Sequence, residues 1–271
     1  MREDPIGFGT MTWERFVAIG DSSTEGLYDP DGKGGYRGWA DRFAGRLAEV
    51  GARRGREVRY ANLAIRGRRA QEIRAEQLPS ALVLEPDLAS VLAGMNDVLR
   101  RSFDAPAVSA DVEAMLGAFR DAGATVVTFT LPDVTAFNPW AKPLRPRFRR
   151  LNAALRAAAR RTGSILVDLE AEPGATDPAL WSEDRIHANA AGHELLALAV
   201  ARAVGLPDAD GDTGAEAPVD RPSAVTPTAI LRELSWGVRY LLARVPARGR
   251  TDPSGGRRGP KRGALSPVIH G

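Results

Sequence analysis

From residue 14 to about 205 the chain alternates two patterns of apolar and polar positions. Short, nearly continuous apolar runs predict strands at Arg15–Gly20, Val58–Leu63, Asp87–Ala93, Thr125–Thr130 and Ser164–Leu169. Runs with so little polar interruption mark parallel strands covered on both faces. Between them apolar residues recur at helical spacing over 36–51, 69–83, 108–122 and 146–162, and a last helical pattern occupies 188–204. Gly51, Gly123 and Gly163 fall just past three of these segments, where a left-handed helix end favours glycine. Alternating strands and helices predict an α/β fold built on a doubly wound parallel sheet.

The pattern changes beyond residue 205. Gly205-Leu206-Pro207 ends the last helical run, and the acidic, polar stretch DADGDTGAEAPVDRPS follows. The chain therefore divides into a main domain over 1–205, a linker over 206–225, an amphipathic helix over 226–246 and a basic tail over 247–271. Within 226–246, Ile230, Leu231, Leu234, Val238, Leu241, Leu242 and Val245 form one apolar stripe opposite Arg232, Ser235 and Arg239. A basic helix of this kind docks on a protein surface, the preferred reading, or makes peripheral contact with an anionic membrane. The tail, rich in Gly, Pro and Arg, is expected to be disordered.

Composition narrows the chemistry. The chain has no cysteine, which excludes disulfides, thiolate nucleophiles and cysteine-ligated metals. Its three histidines, His187, His193 and His270, leave few candidates for an imidazole base and argue against a multi-histidine metal site. The net charge of +3 is uneven: residues 221–271 carry ten Arg/Lys against two acids, a net of +8, which leaves −5 for residues 1–220. Basicity confined to the tail argues against a nucleic-acid-binding fold, so no nucleic-acid partner is expected. No apolar run has the length of a signal-peptide core or the ~20 residues of a membrane span, and a cytoplasmic location is expected.

Four segments at or just beyond predicted strand ends carry candidate chemistry, at the edge where open α/β sheets bind ligands. In Phe16-Val-Ala-Ile-Gly-Asp-Ser-Ser-Thr-Glu-Gly26 a small turn presents Ser22. After the second strand Gly67 can bring a backbone N–H close to a ligand, and after the third Asn96 offers an amide donor. Together with the Ser22 N–H they would make a three-donor oxyanion hole. Ahead of the last helix, Asp184 and His187 lie three residues apart, a spacing that lets the carboxylate orient the imidazole so that it takes the serine proton. Singly, each has a plainer reading: a helix cap for Ser22, a turn glycine for Gly67, an Asx-turn for Asn96. His193, inside the last helix beside Gly192, reads as structural. Phe137 and Trp140, in the proline-rich stretch Asp133–Pro146, are candidates for an apolar lip that binds substrate or for anchors of their own loop.

The ordered set GDS…G…GMND…DxxH over residues ~14–204 resembles the GDSL/SGNH hydrolase family. The family's invariant serine, glycine, asparagine and histidine map to Ser22, Gly67, Asn96 and His187, and its acid to Asp184. The resemblance implies a three-layer α/β/α sandwich with a parallel flavodoxin-like sheet. It also implies a serine esterase or lipase acting on a small acyl ester without metal or cofactor. Thioesterase and carbohydrate O-deacetylase are the alternatives on the same site, and a binding module docked through the basic tail is the alternative of another class. Two positions depart from common forms: Met95 stands where threonine is frequent, and Arg185 and Ala188 replace the more usual glycine and proline near the histidine.

Overall fold

The computed structural model describes residues 13–207 and 261–268. The strands are β1 (Arg15–Gly20), β2 (Arg59–Asn62), β3 (Leu88–Leu92), β4 (Thr125–Phe129), β5 (Ile165–Val167) and β6 (Arg262–Pro267). The helices are α1 (Ser22–Glu25), α2 (Gly38–Arg53), α3 (Ala70–Glu76), α4 (Leu78–Val83), α5 (Met95–Val98), α6 (Ala105–Asp121), α7 (Arg145–Thr162) and α8 (Ala190–Ala203). The sheet order is β5-β4-β3-β1-β2-β6, with the first five strands parallel and β6 antiparallel to β2. Right-handed crossovers in this order send α2 and α8, which pack together, to one face and α3, α4, α6 and α7 to the other. This is the α/β sandwich that the alternating pattern predicted.

The five parallel strands fall on the five apolar runs because both their faces are covered. Phe16 of β1 stacks on Tyr60 of β2 at 5.3 Å and meets Phe43 of α2 edge-on at 5.2 Å. Trp39 of α2 likewise packs edge-on against Phe129 of β4 at 5.1 Å. All five rings are fully buried. The strand order reverses between β1 and β3, and their register pairs Gly20 with Leu92. The turns that follow both strands therefore emerge side by side at the switch point of the sheet, where such folds bind ligands.

Three sequence expectations change. The helical pattern over 69–83 is two helices, α3 and α4, that meet at Gln77. Pro79, in the first turn of α4, has no backbone N–H with which to continue the previous helix. Gly51 does not cap α2, which runs on to Arg53. A side chain at Gly51 would meet Val58 and the Arg56 carbonyl at 2.8 and 3.2 Å, so the glycine answers close approach, and the left-handed residue is Gly55 (φ 69°). The tail expected to be disordered over 247–271 contains β6. Its composition hid this because the stabilising groups belong to the partner strand's neighbourhood. Lys261 Nζ donates to Asp41 Oδ2 at 2.6 Å and to the Arg37 carbonyl at 2.7 Å, and the Arg262 guanidinium lies 5.4 Å from the Tyr60 ring centre. The expected linker and amphipathic helix lie outside the described residues, apart from Leu206 and Pro207. No helix among the described residues is long and apolar enough to cross a membrane.

Candidate active site

Ser22 is the first residue of α1, so its N–H has no helical acceptor. Asp21 caps this short helix, accepting the Ser23 N–H at 3.0 Å, and Gly26 (φ 93°) ends it. The turn is held from below by buried amides. Gln77 grips Gly20 at both backbone groups, accepting its N–H and donating to its carbonyl, each at 2.9 Å. Asn62, at the end of β2, donates to the Thr24 carbonyl at 2.8 Å.

The second part of the site is a tight loop before α8. The Ser182 N–H bonds the His187 carbonyl at 2.8 Å, and Trp181 bridges to Ala188. Within it Asp184 Oδ1 accepts the N–H groups of Ile186 and His187, each at 3.0 Å, and the Ser182 hydroxyl at 2.6 Å. Closing the loop needs a left-handed backbone at Arg185 (φ 52°), the position where glycine is more usual. Asp184 Oδ2 is left to pair with His187 Nδ1 at 2.6 Å, and His187 Nε2 lies 2.7 Å from Ser22 Oγ. The network assigns the proton to Nδ1, leaving Nε2 to accept the serine hydroxyl. Burial alone would raise the Asp184 pKa. The hydrogen bond and charge of His187, with the Ser182 hydroxyl and the His187 N–H, instead hold it at about 2.

Asn96, on α5 beyond β3, reaches the same place. Its amide donates to Asp21 Oδ2 at 3.0 Å and to the Arg68 carbonyl at 3.1 Å. Asp21 is buried, which pushes its pKa up to about 6 against the lowering effect of its hydrogen bonds to Ser23 and the nearby His187. Gly67 adopts φ 79°, which a side chain would strain, and the space a Cβ would enter is empty out to 4 Å.

The structure thus brings Ser22, His187, Asp184, Asn96 and Asp21 together by hydrogen bonds. An apolar cavity of about 70 Å³ lies beside them, lined by Leu92, Leu131, Leu169, Trp181 and Leu196 with Asp21 and His193 at its polar side. Neither Phe137 nor Trp140 lines it. Phe137 packs on Trp181 at 5.1 Å, as a loop anchor would, while Trp140 is exposed. His193 is buried: its Nδ1 accepts the Trp39 N–H at 3.2 Å and its Nε2 donates to the Leu27 carbonyl at 3.1 Å. Sequence reasoning misses Gln77, a lone polar residue within a helical pattern, and Tyr28, whose ring stands against His187. Asp21 is visible in the sequence only as part of the turn.

Comparison with known proteins gives a consistent result. The sequence profile of the GDSL-like lipase/acylhydrolase family matches residues 18–195. An acetylxylan esterase of Geobacillus stearothermophilus is 27% identical over 210 residues, which span 71% of this chain and 94% of that protein. The crystal structure of an acetylxylan esterase from Geobacillus stearothermophilus superposes with a TM-score of 0.60 at 22% identity, over 71% of this chain and 94% of that one. An α/β hydrolase from the metagenome of Lake Arreo, Spain, gives a TM-score of 0.61 at 23% identity, covering 73% of this chain and 98% of that one.

Proposed function

Because the chain belongs to the GDSL-like lipase/acylhydrolase family and is a carboxylic ester hydrolase, we propose that Ser22 is its nucleophile and His187, oriented by Asp184, its general base. The observation that carries this reading is the continuous relay from Ser22 Oγ to His187 Nε2 (2.7 Å) and from His187 Nδ1 to Asp184 (2.6 Å). In support, catalytic mutants of the Geobacillus acetylxylan esterase replace a serine, a histidine and an aspartate, the last two three positions apart as here.

Ser22 Oγ attacks the acyl carbon as its proton passes to His187 Nε2. The new imidazolium is stabilised by Asp184, whose low pKa keeps it charged throughout. The negative oxygen of the tetrahedral intermediate is received by the N–H groups of Ser22 and Gly67 and by the Asn96 amide. His187 then protonates the departing alcohol, and a water molecule repeats the sequence on the acyl-enzyme, releasing the acid and restoring Ser22. No metal or organic cofactor enters the scheme.

Acetyl esters are the first substrates to test, because the relative is named for an acetylated polysaccharide. Activity on acetyl through longer acyl esters, and on acetylated xylo-oligosaccharides, is compared between the wild type and Ser22→Ala. The variant is expected to lose ~10³-fold or more in kcat. Equal turnover by both proteins rejects Ser22.

A further inference from the structure

Tyr28 lies six residues beyond Ser22, in the loop that leaves α1. Its ring centre is 5.6 Å from that of His187, and the two planes are inclined at 36°. Its backbone has φ 70°, and the Asp29 N–H bonds the Gly26 carbonyl at 3.1 Å, closing a turn whose third position is Tyr28. A positive φ at that position ordinarily calls for glycine. The side chain nevertheless remains 45% exposed, so core burial does not explain its retention in a strained conformation.

Both neighbours of Tyr28 are fastened to helices. The Leu27 carbonyl accepts His193 Nε2 of α8. Asp29 receives Arg42 Nε and Nη2 from α2 at 2.8 and 3.0 Å, and the Gly38 N–H at 3.1 Å. Gly26 and Gly38 touch backbone to backbone at the base of the loop, where a Cβ on Gly26 would come within 2.6 Å of the Gly38 Cα. Anchors on both sides over-determine the turn, which is how local strain persists at a functional position. Burial first, and then the charge and hydrogen bonding of the nearby Asp184 carboxylate, raise the phenol's pKa, so it stays a proton donor.

We propose that Tyr28 is a positioning residue for the His187–Asp184 pair, its ring bracing the imidazole and its hydroxyl sharing the Asp184 carboxylate. This rests on the reading of His187 as the base. The strained turn aims the ring at one face of the imidazole, limiting its rotation away from Ser22. The phenol draws charge from Asp184, so the carboxylate stabilises the imidazolium less than it would alone. Asp184 and Glu183 of the same loop, Tyr36 further along the loop that carries Tyr28, Asp21 at the start of α1 and His193 of α8 are the other titratable groups whose charges bear on this cluster.

Tyr28→Phe and Tyr28→Gly are measured beside the wild type and Ser22→Ala. Tyr28→Phe is expected to move the acid limb of kcat/KM to higher pH and to shift the downfield proton resonance of the His187–Asp184 hydrogen bond. That resonance separates the effect from titration of Asp21. Tyr28→Gly is expected to lower kcat about tenfold or more with KM little changed. Its Tm should be no lower than wild type, since the turn suits glycine. An unmoved acid limb and resonance in Tyr28→Phe, or a Tyr28→Gly loss confined to KM or accompanied by a lower Tm, overturns the proposal. Turnover by Ser22→Ala equal to wild type instead rejects the underlying assignment of the serine and its base.

Discussion

Asn96 comes to the site with both amide hydrogens engaged, one on Asp21 and one on the Arg68 carbonyl. To receive an oxyanion it must redirect one of them, and the carboxylate contact fixes the side chain while it does so. Asn96→Ala is therefore expected to lower kcat ~10²–10³-fold with little change in KM. Steady-state kinetics on one ester decides this, and a loss confined to KM would make Asn96 a ground-state contact. At this scale the sequence is most informative where chemistry and spacing coincide. Ser22, Asp184 and His187 stand out in the sequence because few side chains suit the proposed chemistry and only His187 follows an aspartate by three residues just ahead of the last helix. Tyr28 is not legible, because its significance lies in a backbone angle and in a ring 159 positions further along the chain.

The elements depend on buried amides that act as clips between segments. Gln77 ties the α3–α4 junction to Gly20, and Asn152 of α7 grips Leu131 beyond β4 at both backbone groups, each at 2.8 Å. Gln77→Leu would strand the Gly20 N–H and leave the Gly20 carbonyl with only the Ile65 N–H. A loss on the order of 1–3 kcal/mol in unfolding free energy is expected, read by urea denaturation. Unchanged stability would show that the apolar packing of Leu compensates. Such clips escape a periodicity argument, which treats a polar residue in an apolar face as noise, and so the break within 69–83 is hidden from it. The tail strand escapes for a different reason: β6 is made of residues with weak strand preference and is held by an ion pair and a cation over a ring. A chain ending at Pro207 would bare the edge of β2 and leave half-buried Asp41 without Lys261. It is expected to self-associate, since an unpaired edge templates further strands. Light scattering that shows a stable monomer would contradict this.

Across the molecule, two buried groups oppose each other between about pH 4 and 6.5. Burial lowers the His193 pKa from 6.5 to about 4, so the stability it contributes is present above 6.5 and is lost as pH falls through 4. Burial raises the Asp21 pKa from 3.8 to about 6, so its contribution is present below 3.8 and is lost as pH rises through 6. Each shift corresponds to something on the order of 3 kcal/mol. Stability from this pair is therefore expected to be nearly flat across the window. Asp21→Asn should make stability rise with pH there, and His193→Gln should make it fall. Thermal melts at several pH values test both signs, and parallel curves for the three proteins would refute the pairing. The overall architecture is the most legible level, because continuous apolar strands announce a doubly covered sheet whatever the details at its ends. One such detail reaches furthest. The loop between Gly26 and Gly38 is cinched at its base by two glycine backbones, while at Gly32 and Gly34 near its tip a Cβ would meet no atom within 4 Å. Insertions at the tip would leave the geometry of Ser22 and His187 intact, so new substrate preferences could be grafted there by loop exchange without rebuilding the chemistry.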